Sequence, residues 1–462
     1  MVEQKKGKNE EGGYRRRPNQ SMGQNVHMAK LQSQHAEDKV SMKQSHKGPT
    51  LSRKKLKWQQ NTWRANHAGN TQGHGNYQRR GIREHSYEIK PEWPTLVEFS
   101  KQRQDKLLNL TPGLLGEFTD AGQIHQFNMS FEKARVQRSI KIPKHQGSWE
   151  ENSIIDDEII QEIAGSGRAH VFITDEAAAA IMCSTRAVYS WDVQIKKFQN
   201  MLFIDKREEE NMLRYQTVHE TAQPDYQPLD DDSINGTRQL MREAARVHTN
   251  ILQAAQGNKF TKLERDDPHE EAEDQKMLRL GYKYKLFRLS SEPDLVVCIR
   301  CQNHFLNDVP SEGLSNLFVL LEWNHKRQSW TKDLDLMTNV MLNKEINDNA
   351  SKFNRWTMQS LLDGVEKMRF AFVQRADIAS DKAHKVVGFY NVNPTSFANE
   401  INLNLQNCWA VLKDLVVTVL DQKQTSAEYL YMKDPTQANY RLIHMIKAEN
   451  EDDEDSAEDD GF

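Results

Sequence analysis

The apolar residues of this chain are confined to its middle, and that distribution limits what can fold. Residues 1–85 hold almost no aliphatic clusters and are rich in Gln, Asn, His, Gly, Lys and Arg. Such a segment cannot bury enough apolar surface to offset its chain entropy, so it is expected to be a disordered arm. Its 18 Lys and Arg against 6 Asp and Glu make it strongly basic. The last fourteen residues, from Glu449 on, carry nine acids and no base. The net charge of −4 over 462 residues therefore conceals a basic arm, a slightly acidic body and an acidic tail. We expect four regions: the arm over 1–85, a partly ordered linker or strap over 86–146, a folded domain over 147–447 and a disordered tail over 448–462.

The polar N-terminus lacks the apolar stretch of a signal peptide, and no apolar run reaches the roughly eighteen residues of a membrane span. Cys183, Cys298, Cys301 and Cys408 do not have the spacing of a secretory disulfide framework, so a reducing compartment is expected. Within the arm, the stretch from Ser52 to Arg64 interleaves bases with Trp58 and Trp63, which suits either nucleic acid or a solvated linker.

The body reads as mixed α and β. Thr174 is a candidate N-cap, followed by Asp175, Glu176 and a helix-compatible run from Ala177 to Met182. A second helix is predicted from Thr237 to Ala254. A third follows from Phe397, Ile401, Leu405, Cys408, Leu412, Leu415 and Val419, which recur at steps of three and four. Strands are predicted over Leu295 to Ile299, Leu317 to Leu321, Phe370 to Val373 and Val386 to Tyr390. A hairpin is predicted from Tyr429 to Met432 and Leu442 to Ile446. Helices are few and interleave irregularly with strands, against a doubly wound fold. The connection from Thr221 to Asn235 has two prolines and four acids, the composition of a lid or of a plain surface insertion.

No phosphate-cradling Gly-rich loop or nucleophile elbow is present. Cys298 and Cys301 have zinc-knuckle spacing, but a structural site needs four ligands, and on a strand these two thiols would point to opposite faces. The richest stretch runs from His170 to Lys206, where Tyr189 and Trp191 flank Ser190, with Arg186 before and Asp192 after. Two aromatics, a base and an acid suit a cationic aromatic ligand with a donor edge. The same residues also suit a buried strand, with Asp175 merely opening a helix.

These segments resemble the D subunit family of eukaryotic translation initiation factor 3. The resemblance is carried by TRAVYSWDV (Thr185 to Val193), MLFIDKRE (Met201 to Glu208), VHETA (Val218 to Ala222) and YKYKLFRL (Tyr282 to Leu289). It continues through KFNRW (Lys352 to Trp356), NPTSFANEINLNLQNCWAVLK (Asn393 to Lys413) and YLYMKDP (Tyr429 to Pro435), in the family's order. It implies an α+β fold, a cup-shaped mixed-sheet domain with flanking helices, related to decapping nucleases. It also implies a cytoplasmic subunit of the initiation factor complex that engages capped mRNA and the 40S ribosomal subunit, beside other subunits. The cap and RNA surface would comprise Asp175, Val188 and Tyr189, with Arg186 available to phosphate. A second helix would add the positions that read Ala245, His248 and Thr249 here, which differ from the family's Thr and Asn-His. The loop over 223–235, with Gln223, Pro224, Asp225, Asp230, Asp231 and Asp232, falls where the family has its RNA gate. Positions matching the nucleases' metal-holding acids read Gln302-Asn303-His304 and Glu345-Ile346-Asn347, which have lost essential carboxylates. The implied role is therefore binding without a catalytic, metal or cofactor site. The alternatives are a purely structural subunit and, further off, a 5′-end decapping nuclease. The family's opening tryptophan-containing segment is not recognisable in 1–85.

Overall fold

The computed structural model describes residues 86–144, 152–187, 189–207, 218, 220, 234–269, 278–307, 313–322, 330–434 and 439–446. The chain opens with β1 (Thr95–Phe99), α1 (Lys101–Asp105), β2 (Gly113–Phe127), β3 (Ile140–Lys141), α2 (Glu158–Gly165), β4 (Val171–Thr174) and α3 (Asp175–Met182). After a 3-10 turn at Ser184–Arg186 come β5 (Trp191–Phe198), β6 (Met201–Asp205), α4 (Thr237–Ala254), β7 (Gln256–Lys262), β8 (Gly281–Ser291) and β9 (Asp294–Asn303). Next are β10 (Phe305–Leu306), β11 (Leu314–Leu321), α5 (Trp330–Asp348), α6 (Ala350–Asp363), β12 (Lys367–Asp377) and β13 (Ser380–Val392). Last are α7 (Pro394–Glu400), α8 (Leu405–Leu420), β14 (Ser426–Lys433) and β15 (Tyr440–Met445).

The strands form one mixed sheet in the order β1-β15-β14-β5-β6-β4-β9-β8-β2-β10-β11-β12-β13-β3, with β7 paired to β2 off this path. β4 runs parallel to both β6 and β9, and β11 runs parallel to β12. Most of the remaining pairs are antiparallel. Apolar residues on strands such as β9 alternate between two cores. Val297, Ile299 and Cys301 pack with α3, α6 and α8, while Val296 and Cys298 pack with α2 and α4. The two thiols thus lie on opposite faces, as the period of two requires. A third core joins β11, β12 and β13 to α5, α6 and α7 through Phe318, Phe353, Trp356, Phe370 and Phe397.

The predicted strands fall in β9, β11, β12 and β13, and the hairpin is β14 with β15. Two expectations are corrected. The region over 86–146, expected to be a strap, supplies β1, β2 and β3 to the sheet itself. β2 is the joint of the molecule: residues 113–122 pair with β8, whereas Phe305 and Leu306 of β10 pair with His125 and Gln126. Gly122 makes the crossing possible, because it has φ of +84° and a Cβ there would meet Leu280 O at 2.5 Å. The second correction concerns the helix expected through Phe397 and Val419, which is two, α7 and α8. Asn402 adopts φ of 55° between them, and Asn404 Oδ1 accepts from Asn407 N at 3.2 Å to start α8 afresh.

Candidate functional site

α3 begins where β4 ends. Thr174 Oγ1 accepts from Ala177 N at 3.4 Å and donates to Asp205 Oδ1 at 3.2 Å, so the predicted cap is present and is itself anchored. The four alanines that follow are all buried, which lets α3 lie between the sheet, α6 and α8. Asp175 sits in the first turn, where the positive end of the helix favours a carboxylate. It is only 5% exposed, and it accepts from Glu176 N at 2.6 Å and from Gln302 N at 3.0 Å.

The other residues of this half divide by environment. Tyr189 is half-buried ahead of β5, whereas Trp191 is buried and packs edge-on against Tyr431 at 5.7 Å. Asp192 is held by Arg207 at 2.6 Å inside the protein, so neither Trp191 nor Asp192 faces a ligand. Arg186 turns its guanidinium onto backbone carbonyls, Ile401 O at 3.1 Å and Asn402 O at 2.6 Å. Val188 lies outside the described residues, as do Gln223, Pro224, Asp225, Asp230, Asp231 and Asp232.

The second half is α4, whose predicted and observed bounds coincide. Its apolar stripe, with Leu240, Ala244, Val247 and Ile251, packs on the sheet. Ala245, His248 and Thr249 are half-buried on its flank. Thr249 Oγ1 donates to Ala245 O at 3.3 Å. His248 Nε2 donates to Leu317 O at 2.9 Å, which fixes the neutral tautomer with its proton on Nε2. Burial pushes this imidazole down to about 4, against a smaller opposing pull from the Leu317 carbonyl.

The two halves are linked by a seam of polar groups across the ends of β9 and β11. Asp363, at the end of α6, is buried, and burial followed by the charge of Asp175 raises its carboxyl well above the usual range. Asp363 Oδ2 accepts from Asn316 Nδ2 at 2.5 Å, and Asn316 Oδ1 accepts from His304 N at 3.2 Å. His304 Nδ1 accepts from Leu317 N at 3.0 Å, and its ring centre lies 6.0 Å from that of His248. Sequence reasoning brought Asp175 and His248 forward but missed Asp363 and Asn316. The one local signal was an acid immediately before Gly364 at a helix C-terminus, where the dipole disfavours negative charge. α6 itself is tied at both ends. Glu220, from the VHETA motif, accepts from Ser351 N at 2.8 Å. At the other end Lys285 Nζ donates to Leu362 O at 2.9 Å and Asp363 O at 2.7 Å.

Fold and site together define a mixed-sheet α+β protein with a buried polar seam between two helices. The chain belongs to the family described as eukaryotic translation initiation factor 3 subunit 7, whose model matches residues 1–444. It is 30% identical over 400 residues to the D-2 subunit of eukaryotic translation initiation factor 3 from Drosophila willistoni, covering 82% of this chain and 70% of that one. It is also 30% identical to the D subunit of the same factor from Nasonia vitripennis over 378 residues, covering 79% of this chain and 65% of that one. Among solved structures it is similar to Candida albicans Rai1 in complex with pU5-Mn2+, with a TM-score of 0.46, 13% identity and coverage of 77% and 93%. It is also similar to K. lactis Dxo1 in complex with manganese, with a TM-score of 0.39, 8% identity and coverage of 77% and 96%.

Proposed function

We propose that this chain is a subunit of a multisubunit translation initiation factor that binds the mRNA 5′ cap at the small ribosomal subunit, in the cytoplasm. The family and the names of its relatives support the subunit part, and with it a binding rather than a catalytic role. The seam is the observation that carries the RNA part. It holds Asp175 on α3 and His248 on α4, two residues the resemblance assigns to one surface, in a fixed relation through Gln302, His304 and Asn316.

In this reading the half-buried Tyr189 takes the face of the methylated guanine, which carries positive charge. Asp175 acts from within, setting the N-terminus of α3, because its oxygens already receive two backbone N–H groups. Ala245, His248 and Thr249 form the α4 wall. Arg238, Arg242 and Arg246 recur every four residues along that helix, one face on which to meet phosphates. Val188 and the loop over 223–235 enter on the resemblance alone, and the basic arm supplies charge for ribosomal or messenger RNA.

The test is crosslinking of cap-labelled RNA to the assembled factor with and without excess cap analogue. A competable band on this subunit, reduced about tenfold by Tyr189→Ala as loss of one stacked base would give, is the expected result. A second reading, a structural subunit without cap recognition, is favoured by the commitment of Arg186 to the Ile401 and Asn402 carbonyls. A wild-type band that competitor does not remove would establish that reading instead.

A further inference from the structure

Helix α5 carries apolar residues on two faces, and the third core covers only one of them. Trp330, Leu334, Met341 and Leu342 are buried there with Phe318, Phe353 and Phe370. Leu336, Met337 and Val340 lie outside it and are 87%, 42% and 57% exposed. Single exposed apolar residues are ordinary, but three clustered over 336–340 beside a concave surface mark a contact site.

That concave surface is a groove of about 610 Å³ between α5 and β13, and all three side chains line it. α5 comes down onto the strand at Gly388, where an added Cβ would meet Leu334 Cδ2 at 2.9 Å, so the close approach requires a residue without a side chain. Phe389 and Tyr390 continue the lining. α5 also breaks at Met337, with φ of −134° and ψ of 36°, although it contains neither Pro nor Gly. The cause is local: Thr338 Oγ1 donates to Leu334 O at 2.6 Å, a back-bond that bends helices.

One charge stands in this apolar lining without a counter-charge. Arg135 is exposed, and its Nη1 donates to Glu132 O at 3.0 Å and Ala134 O at 2.6 Å, carbonyls of its own turn. No carboxylate pairs with it among the described residues. The acid of the lining, Asp335, instead accepts from Val136 N at 3.3 Å.

We propose that this groove receives another subunit of the initiation factor, through an amphipathic helix that seats apolar side chains against Leu336, Met337 and Val340 and sets a carboxylate against Arg135. The occupant is helical because Leu336 and Val340 stand four apart and Met337 and Val340 three, the spacing of the ridges by which two helices pack. Its contact face is apolar because these walls reward only apolar burial. It is acidic beside that face because Arg135 is the charge left to complement. RNA does not suit the groove, since a phosphate chain needs several cations and the lining offers one beside an acid. The inference rests on the subunit part of the proposed function and not on cap recognition, and none of the groove's residues belongs to the seam.

The test puts a photoreactive benzophenone amino acid in place of Asn339, which is exposed in the lining, and irradiates the full chain after assembly with the other subunits purified as one complex. The expected product is a crosslink to another subunit, in a segment with apolar residues at steps of three and four and an acid beside them. Leu336→Gln combined with Val340→Gln should weaken assembly at least about tenfold, as loss of interface anchors gives, whereas Leu336→Met should assemble as wild type. Arg135→Glu should weaken it as well, and replacing the crosslinked acid of the partner by Lys should restore it. These side chains are exposed, so the free variants should melt with wild type, which separates weak assembly from misfolding. A crosslink to RNA, to a second copy of this chain or to nothing would overturn the proposal, as would assembly indifferent to the paired Gln substitutions. A wild-type chain that does not join the other subunits would overturn the subunit reading and this surface with it. Failure of cap recognition is read on RNA and failure here on protein assembly, so the two are distinct.

Discussion

α3 and α4 flank the same seam, yet they handle burial and charge in opposite ways. α3 is short and covered on nearly every side, so seven of its eight residues are buried and only its ends can take part in polar chemistry. α4 is longer and amphipathic, with an apolar stripe on the sheet and polar residues such as Arg246 turned outward. On the α3 side, burial and the charge of Asp175 raise the Asp363 carboxyl well above its usual range. The α4 side holds a histidine that folding keeps neutral. Falling pH therefore strengthens one side and weakens the other. One side of the seam is thus nearly closed to solvent, whereas the other leaves Ala245, His248 and Thr249 half-buried on the flank of α4.

This contrast can be broken most forcefully at Lys285. Lys285→Met removes the charged donor from the Leu362 and Asp363 carbonyls at the end of α6 and leaves Leu362 O only the weak Cys301 thiol. It should cost about 2–3 kcal/mol in denaturant unfolding; a cost near zero would mean that these bonds do not hold the end of α6. Next in size is Ala178→Leu, which forces a larger side chain into a fully buried site on α3. A loss of about 1–3 kcal/mol is expected, and a well-tolerated leucine would reveal slack beside the sheet.

His248 sharpens the comparison through pH. The unfolded chain takes a proton near 6.5 and the folded protein resists it until about 4. Its stabilising contribution is thus present above 6.5 and lost as pH falls across that window. His248→Gln should flatten the acid limb of a melting-temperature profile, and an unchanged limb would place the sensitivity elsewhere. The smallest effect is expected at Arg246, whose pair with Asp381 at 2.9 Å is solvent-exposed. Arg246→Ala should change stability by less than about 0.5 kcal/mol. It should lower the salt dependence of RNA binding by about one phosphate contact; an unchanged slope would remove this arginine from the surface.

Much of the scaffold was legible because its signals are local. Thr174 before Asp175 and Glu176 announced α3, and the alternating or continuous apolar runs announced β9, β11, β12 and β13. What was illegible depends on partners far along the chain. β2 contains Gly113, Gly116 and Gly122 and so lacks the composition of a strand; it becomes one because β8, β7 and β10 complete its hydrogen bonds. Asn402 and Asn404 divide a continuous apolar period that by itself predicts one helix. The seam draws Asp175, Asn316 and Asp363 from three separate elements and His304 from the link between β9 and β10, and no spacing rule joins them. Family motifs located Asp175 and the α4 positions, but only the fold shows that the carboxylate of Asp175 is occupied by the backbone.

The place of β2 also bears on how this protein can be dissected. A fragment begun at residue 147, where sequence composition suggests a domain border, would lack the strand that lies between β8 and β10. Raw sheet edges at β8 and β10, and at β15 and β13 once β1 and β3 are gone as well, would then face water, ready to recruit β-strands from neighbouring molecules. The blocks on either side of β2 share a wall rather than a linker, so a boundary drawn from composition would cut through the middle of one cooperative unit.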